Sequence, residues 1–322
     1  MSRRASVVVP VLNGVSTIGA TLASLDAQTL PPSDYEVIVV DDGSTDGTPG
    51  LVRGFSEVLR APVVLIERVH AGPAAARNAG VAAATGKVVA FTDADVEVAP
   101  DWLERALGVL DGDPFAAGVE GRTLPKGEPG TLTHQMHNVT GGLYMTCNMA
   151  YRRDAVEAVG AFDERFETAF LEDSDLAFKV LARGGKIPFA PEVLAHHLVL
   201  HHGRRKFWRD ARKRMYVPLV MRKHPQLYRR LLKPVVPAFP AIYVEEVLSL
   251  LTMLMAILTH AWAVAIPASA LTGISLRRVA HALRARDPVS ILQASTMPFV
   301  QGFWVSMGWL RFARVQPDVP RK

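Results

Sequence analysis

The sequence predicts an α/β protein with an open, mostly parallel sheet flanked by helices, followed by a C-terminal apolar helical region. Two observations carry the first part. Short apolar runs alternate with helix-like segments over residues 6–93, and three of those runs end in polar groups. A third observation carries the second part: 25 residues without a formal charge, 247–271, follow a dense basic run.

The elements follow in order. SVVVPVL (6–12) reads as a strand, VSTIGATLASLDAQ (15–28) as a helix, YEVIVVDD (35–42) as a strand and TPGLVRGFSEVL (48–59) as a helix. PVVLIERV (62–69), GPAAARNAGVAAATG (72–86) and KVVAFTD (87–93) continue as strand, helix, strand. Strands separated by helix-length segments pair in parallel through crossovers. Ligands then bind beyond the carboxyl ends of the strands, which is where Asn13, Asp41, Asp42 and Asp93 fall. Beyond residue 112 the alternation weakens. A Gly/Pro-rich loop is expected at 121–130 (GRTLPKGEPG), a strand at YMTCNMAY (144–151) and a helix opened by Asp154. A second helix begins with Glu172, Asp173 and Asp175 and runs to Gly184 and Gly185. Its acids favour the helix N-terminus and its glycines stop it.

The bulk numbers describe a globular chain. It has 322 residues, 49% of them hydrophobic and 21% charged, enough for one large or two modest domains. Its single cysteine, Cys147, excludes an intramolecular disulfide and leans towards a reducing compartment. The N-terminal run, broken by Pro10 and Asn13, reads as a first strand rather than a signal peptide.

The stretch FTDADVEVAP (91–100) places two carboxylates one residue apart. If the strand runs on through them, Asp93 and Asp95 point to the same side. At ~4 Å and an effective dielectric near 20, they repel by roughly 4 kcal/mol. A positive partner is therefore expected beside them.

The motifs VVVPVLNG (7–14), VIVVDDGSTDGT (37–48), AAARNAG (74–80), TDAD (92–95) and LEDSDL (171–176) stand in this order. Together they resemble the family 2 inverting glycosyltransferases. The resemblance covers residues 5–200 and implies a GT-A fold, a Rossmann-like, mostly parallel open sheet. It also implies a nucleoside-diphosphate-sugar donor (UDP, GDP or dTDP) and a divalent cation, Mn2+ or Mg2+, held by hard oxygen ligands. By resemblance Asp95 is the main metal ligand, and Asp93 lies between metal and ribose. Pro10, Asn13, Asp41 and Asp42 hold the nucleoside, with Asp42 able to accept a base N–H, and Arg77 sits near the donor phosphates. Asp173 matches the catalytic base, which takes the acceptor hydroxyl's proton. Glu172 and Asn148 fall on the acceptor side.

HHLVLHH (196–202) is a candidate ligand cluster. Alternation on a strand puts His196 and His202 on one face and His197 and His201 on the other, so the four cannot share one ion. The family often carries a histidine after this strand, and His196 fits that position. The Gln-x-x-Arg-Trp signature of processive relatives is absent; the corresponding stretch reads KFWRDARKRMY (206–216). Single-sugar transfer is expected rather than polymerisation.

Residues 1–202 thus form the expected transferase domain, 203–234 a basic amphipathic segment and 235–322 an apolar, membrane-associated helical region. Within the basic segment, Trp208, Tyr216 and Leu219 fit a membrane surface better than a nucleic-acid groove. The connector LRRVAHALRARD (276–287) carries four arginines. Keeping every basic flank on the cytoplasmic face of the cell membrane makes 247–271 and 289–310 re-entrant or interfacial. Two buried helices of a soluble domain are the other reading. The expected acceptor is a glycan or lipid-linked acceptor of the cell envelope. The competing functional reading is a catalytically silent scaffold of the same fold. A Gly-x-Gly-x-x-Gly turn, needed by a dinucleotide dehydrogenase, is missing after the first strand.

Overall fold

The computed structural model describes residues 3–128, 133–134, 136–201, 210–232 and 288–318. The chain divides into two compact units, Met1–His202 and Gly203–Lys322.

In the first unit the expected alternation forms β1 (Ala5–Val11), α1 (Ile18–Asp26), β2 (Tyr35–Asp41), α2 (Thr48–Ser56), β3 (Val63–Glu67), α3 (Pro73–Ala83) and β4 (Val88–Phe91). Strands β3, β2, β1 and β4 pair in parallel in that order. Both faces of β1 and β2 are covered, so their Val and Ile side chains are buried throughout. Helix α3 lies close against the sheet because its residues are small. A Cβ on Gly80 would sit 2.3 Å from Val8 Cγ1, so only glycine fits there.

The sheet then changes direction. The remaining elements are β5 (Val96–Val98), α4 (Trp102–Gly112), β6 (Gly118–Lys126), β7 (Thr133–His134), β8 (Met149–Arg152), α5 (Arg153–Ala158), α6 (Glu172–Ala182), β9 (Phe189–Leu198) and β10 (Leu200–His201). The full order is β3-β2-β1-β4-β8-β6-β9-β5, with β8 antiparallel to both β4 and β6 and β5 antiparallel to β9. The sheet is therefore mixed, with its parallel half at the N-terminal end of the chain. Two expectations are corrected. The Gly/Pro-rich stretch from 121 is largely strand: β6 reaches Lys126 by pairing with β9. Its Pro125 is tolerated because β8 pairs only with residues 118–120. The strand expected at 144–151 begins as a 3-10 turn, Thr146–Asn148, and becomes β8 only at Met149.

In the second unit, a 3-10 turn (Lys213–Tyr216) leads into a helix (Val217–Lys223), and a 24-residue helix spans Pro288–Arg311. Arginine–aromatic stacking joins these pieces, with Arg212 5.5 Å from the Trp304 ring and Arg222 4.7 Å from the Trp309 ring. The stretch 289–310 is one uninterrupted helix despite Pro298. Among the described residues no helix is long and apolar enough to cross a membrane. The stretch 247–271, the connector 276–287 and most of the basic run before Asp210 lie outside the described residues.

Candidate active site

The site lies at the carboxyl edge of β1, β2 and β4. Strand β4 stops at Phe91, so Asp93 and Asp95 belong to a turn and not to a continuing strand. The Val96 amide donates to the Asp93 carbonyl at 3.2 Å, closing that turn. The Leu198 amide donates to the Asp95 carbonyl at 2.9 Å, which pins the turn to the end of β9. Asp93, Asp95 and His197 thereby bring one ligand atom each within 4.8 Å of one another.

The histidine beside the aspartates is His197, not His196. Strand β9 buries Val193, Ala195 and His197 on one face and leaves His196 on the other, where it pairs across to Glu97 of β5. His197 Nδ1 lies 3.0 Å from the Leu198 carbonyl and donates to it, while Nε2 faces Asp95 Oδ1 at 3.5 Å. A ligand histidine fixed through its other nitrogen is the arrangement that metal sites use. Two carboxylates and one imidazole fit a divalent cation such as Mn2+, which accepts both oxygen and nitrogen.

The positive partner expected beside the aspartates is Arg77. It rises from α3 into the interior, 4% exposed, with Nη2 2.9 Å from Asp93 Oδ1 and Nη1 2.8 Å from Glu172 Oε1. The Phe162 ring lies 5.8 Å from its guanidinium carbon. Burial alone would lower the Arg77 pKa, but the charges of Asp93 and Glu172 outweigh it and hold the guanidinium above its ordinary value. Arg77 is thus a buried counterion joining two acids.

Glu172 and Asp173 are presented by the N-terminus of α6. The residue before the helix, Leu171, has φ +72°, a left-handed conformation costly for a branched side chain. Glu172 Oε2 accepts from the Phe170 amide at 2.6 Å, so Glu172 faces inward and braces the turn. Asp173 Oδ1 accepts from the Ser174 amide at 2.7 Å. Burial, then the neighbouring Glu172 charge, pushes the Asp173 carboxyl up from 3.8 to about 8, against the pull of Arg77. Asp175 is buried 3.8 Å from Lys179, an intrahelical pair.

The raised carboxyl makes stability depend on pH. In the native state the Asp173 proton leaves near pH 8, and in the unfolded chain it leaves near 3.8. Between those values the unfolded chain binds fewer protons. Stability is complete below the lower value and is lost as pH rises through the higher, by about 1 kcal/mol per pH unit. Urea unfolding of metal-stripped protein at several pH values should show this slope in the wild type and not in Asp173→Asn. Parallel slopes would refute it.

The other expected residues are placed as follows. Pro10 lies in β1 opposite Val40. Asn13, left-handed at φ +55°, ties the loop after β1 to the loop after β2: its amide donates to Ser44 Oγ at 2.7 Å and its Oδ1 accepts from the Thr45 amide at 2.8 Å. Asp41 Oδ1 accepts the amides of Gly43 and Ser44, holding the turn after β2. Asp42 is buried and accepts from the amides of Ala71 and Gly72 and from His70 Nδ1. Asn148, expected on the acceptor side, lies inside the fold. It is 1% exposed, accepts from Trp102 Nε1 at 2.7 Å and donates to the carbonyls of Arg122 and Val193, a cross-link inside the fold.

Sequence reasoning passed over Glu120. This buried carboxylate of β6 accepts from the amides of Gly142, Leu143 and Tyr144 and from Asn138 Nδ2, and so shapes the loop before β8. Nothing in a lone Glu inside an apolar strand marks such a loop anchor.

Residues 6–160 match the Glycosyl transferase family 2. The chain belongs to glycosyl transferase family 2. Among relatives of this family 2 chain is Glycosyltransferase AglE of Haloferax volcanii, 33% identical over 205 residues that make up 60% of this chain and 66% of that protein. The pre-mycofactocin glycosyltransferase of Mycobacterium tuberculosis is 32% identical over 245 residues, 69% of this chain and 48% of that one. The family 2 chain thus spans between about half and two thirds of the length of these two relatives. Among solved structures, the mannosyltransferase PcManGT of Pyrobaculum calidifontis, in complex with GDP-Man and Mn2+, is similar with a TM-score of 0.64 at 22% identity. The match covers 98% of this chain and 89% of that one. The likeness places the sheet among GT-A-like α/β folds.

Proposed function

We propose that this chain transfers a single sugar, with inversion, from a nucleoside-diphosphate sugar to a glycan or lipid-linked acceptor in a reaction that depends on a divalent cation. One observation carries the reading: Asp93, Asp95 and His197 converge within 4.8 Å at the carboxyl edge of the sheet. Arg77 and Asp93 both act electrostatically on Asp173, which links it to this cluster. A cation held by the first three residues offsets the charge that grows on the departing diphosphate. Asp173 takes the acceptor hydroxyl's proton as that oxygen attacks the anomeric carbon from the face opposite the leaving group. Glu172 and Arg77 keep the base in place, and Asn13 and the Asp41 turn shape the nucleoside end. These intact acids speak against a silent scaffold. GDP-Man and Mn2+, bound by the Pyrobaculum structure, are a donor and a cation of the proposed class.

The test is binding of UDP, GDP and dTDP to the purified protein with and without Mn2+, followed by Asp95→Ala. Metal-dependent binding weakened at least about tenfold in Asp95→Ala is the expected result. Binding that ignores both the metal and the substitution would end this reading.

The acceptor is met at the cytoplasmic face of the cell membrane. Phe303, Met307 and Leu310, 56%, 39% and 73% exposed, follow a helical spacing next to Arg311 and support an interfacial contact. Co-sedimentation with anionic vesicles, reduced in a Phe303→Ser/Leu310→Ser variant, is expected. Equal pelleting of variant and wild type would remove this contact.

A further inference from the structure

The segment that delivers Asp173 carries backbone strain at both ends. It follows α5 through Ala161, at φ +51°, and enters α6 through Leu171, at φ +72°, left-handed conformations that side-chain-bearing residues rarely adopt. Such conformations persist only where the neighbouring structure over-determines them. Helix α3 supplies that structure. The Asn78 side chain grips the start of the segment as a short piece of strand would: its Oδ1 accepts from the Phe162 amide at 2.9 Å, and its Nδ2 donates to the Phe162 carbonyl at 3.0 Å and to Glu164 Oε1 at 2.9 Å. Arg77, its neighbour on the helix, holds Glu172 at the other end at 2.8 Å. Between these grips the segment lies flat on the start of α3, since a Cβ at Gly72 would sit 2.6 Å from the Glu167 carbonyl oxygen. Lys179 of α6 donates to the Ala161 carbonyl, so segment and helix form one closed piece. Burial of Leu176, Phe178 and Val180 holds α6 by apolar contact, which has no direction. The hydrogen bonds to α3 set the register.

We propose that Asn78 is a positioning residue for Asp173, acting through the segment 161–171; this rests on the reading of Asp173 as the base given above. The side chain that meets both backbone groups of Phe162 must offer an acceptor and a donor, and Glu164 takes a second donor hydrogen. A primary amide offers all three. A carboxylate in its place keeps only the acceptor and faces Glu164 with like charge. Without this latch, Ala161 and Leu171 relax towards ordinary backbone angles, and Asp173, two residues beyond Leu171, is displaced with them. Arg77 of the same helix also faces Asp93 at 2.9 Å, so α3 is the common reference for the base and for the Asp93–Asp95 turn. A shift of about 1 Å at a reacting group costs about a hundredfold in rate.

The experiment follows nucleoside-diphosphate release from UDP-, GDP- and dTDP-sugars with Mn2+ and a membrane lipid extract. Turnover is expressed per nucleotide-binding site counted by calorimetry, so that unfolded protein does not enter the rate. Asn78→Ala is expected to lower kcat by about tenfold to a hundredfold, with donor KM and Mn2+-dependent nucleotide Kd within about twofold of wild type. A purely structural role would lower Tm and the number of sites and leave kcat per site intact. Asn78→Asp should lower kcat as well, and adding Glu164→Gln, which meets the new carboxylate with a donor, should recover part of it. If Asn78→Ala does not fold, this second pair carries the test, and absence of recovery overturns the inference. So does kcat per site within about twofold of wild type in Asn78→Ala, or a loss of nucleotide affinity that matches the loss of turnover. Wild-type turnover in Asn78→Ala with Asp173→Asn inactive removes the role of Asn78 alone, whereas wild-type turnover in Asp173→Asn removes the base reading beneath it. If the wild type turns over none of these donors, both fall together.

Discussion

Asp173→Asn is expected to lower kcat by about three orders of magnitude and to leave Mn2+-dependent nucleotide binding unchanged. The two halves of this result have separate causes. Asparagine cannot take a proton, so the acceptor hydroxyl attacks without a base. Binding is indifferent because Asn is isosteric with Asp and Asp173 is not one of the three residues that converge as cation ligands. Asn also keeps an oxygen for the Ser174 amide, which Asp173 now receives at 2.7 Å. Transfer followed as release of nucleoside diphosphate, with a membrane lipid extract as acceptor source, reads the first half, and calorimetric nucleotide binding reads the second. Turnover within a few-fold of wild type would remove Asp173 as the base. Loss of nucleotide binding would make it a donor contact instead.

Arg77→Met should be the most destabilising single change at the site. Arg77 is 4% exposed and bridges Asp93 at 2.9 Å and Glu172 at 2.8 Å. Methionine fills much of the same volume but strands a carboxylate on each side, one of them, Glu172, only 3% exposed. Removing one partner from a buried ion pair costs about 3–5 kcal/mol. In a domain of this size that is a fall of about 10 °C in Tm. Lysine should recover little, because a single ammonium cannot span two acids as the planar guanidinium does. Adding Glu172→Gln to Arg77→Met should recover part of the loss, since only one charge is then left unpaired. Melting of Arg77→Met within about 2 °C of wild type would show that the acids do not depend on this cation.

The parallel half of the fold was legible in the sequence because β1, β2 and β4 are apolar runs buried on both faces, the edge strand β3 is a continuous apolar run, and each crossover is an obvious helix. The mixed half was not. Strand β5 is three residues long and directly follows the Asp93–Asp95 turn, so it read as the tail of β4. Strand β6 carries Gly121 and Pro125, residues that ordinarily mark a loop. The site was legible to the level of residue type: repelling carboxylates called for a cation, and Arg77 supplies it. The histidine was misassigned because β9 is apolar on both parities. Leu194 and Leu198 flank His196 as Val193 and Ala195 lead to His197, and only the packed sheet decides which parity faces the aspartates. Asn148 looked like a rim residue because an amide in an apolar stretch carries no sign of the buried Trp102 that donates to it.

The change of strand direction between β4 and β8 has a consequence for how such a protein diversifies. In the proposed function the nucleoside end is built from the loops after β1 and β2, and Asp173 comes from a segment beyond β8. The two groups of segments are separate in the chain and meet at the turn that carries Asp93 and Asp95. On the proposed function, replacements in the segment that carries Asp173 can therefore alter what receives the sugar without disturbing the grip on the donor. Selection can act on the two specificities as independent modules, with the Asp93–Asp95 turn as the part that both must inherit unchanged.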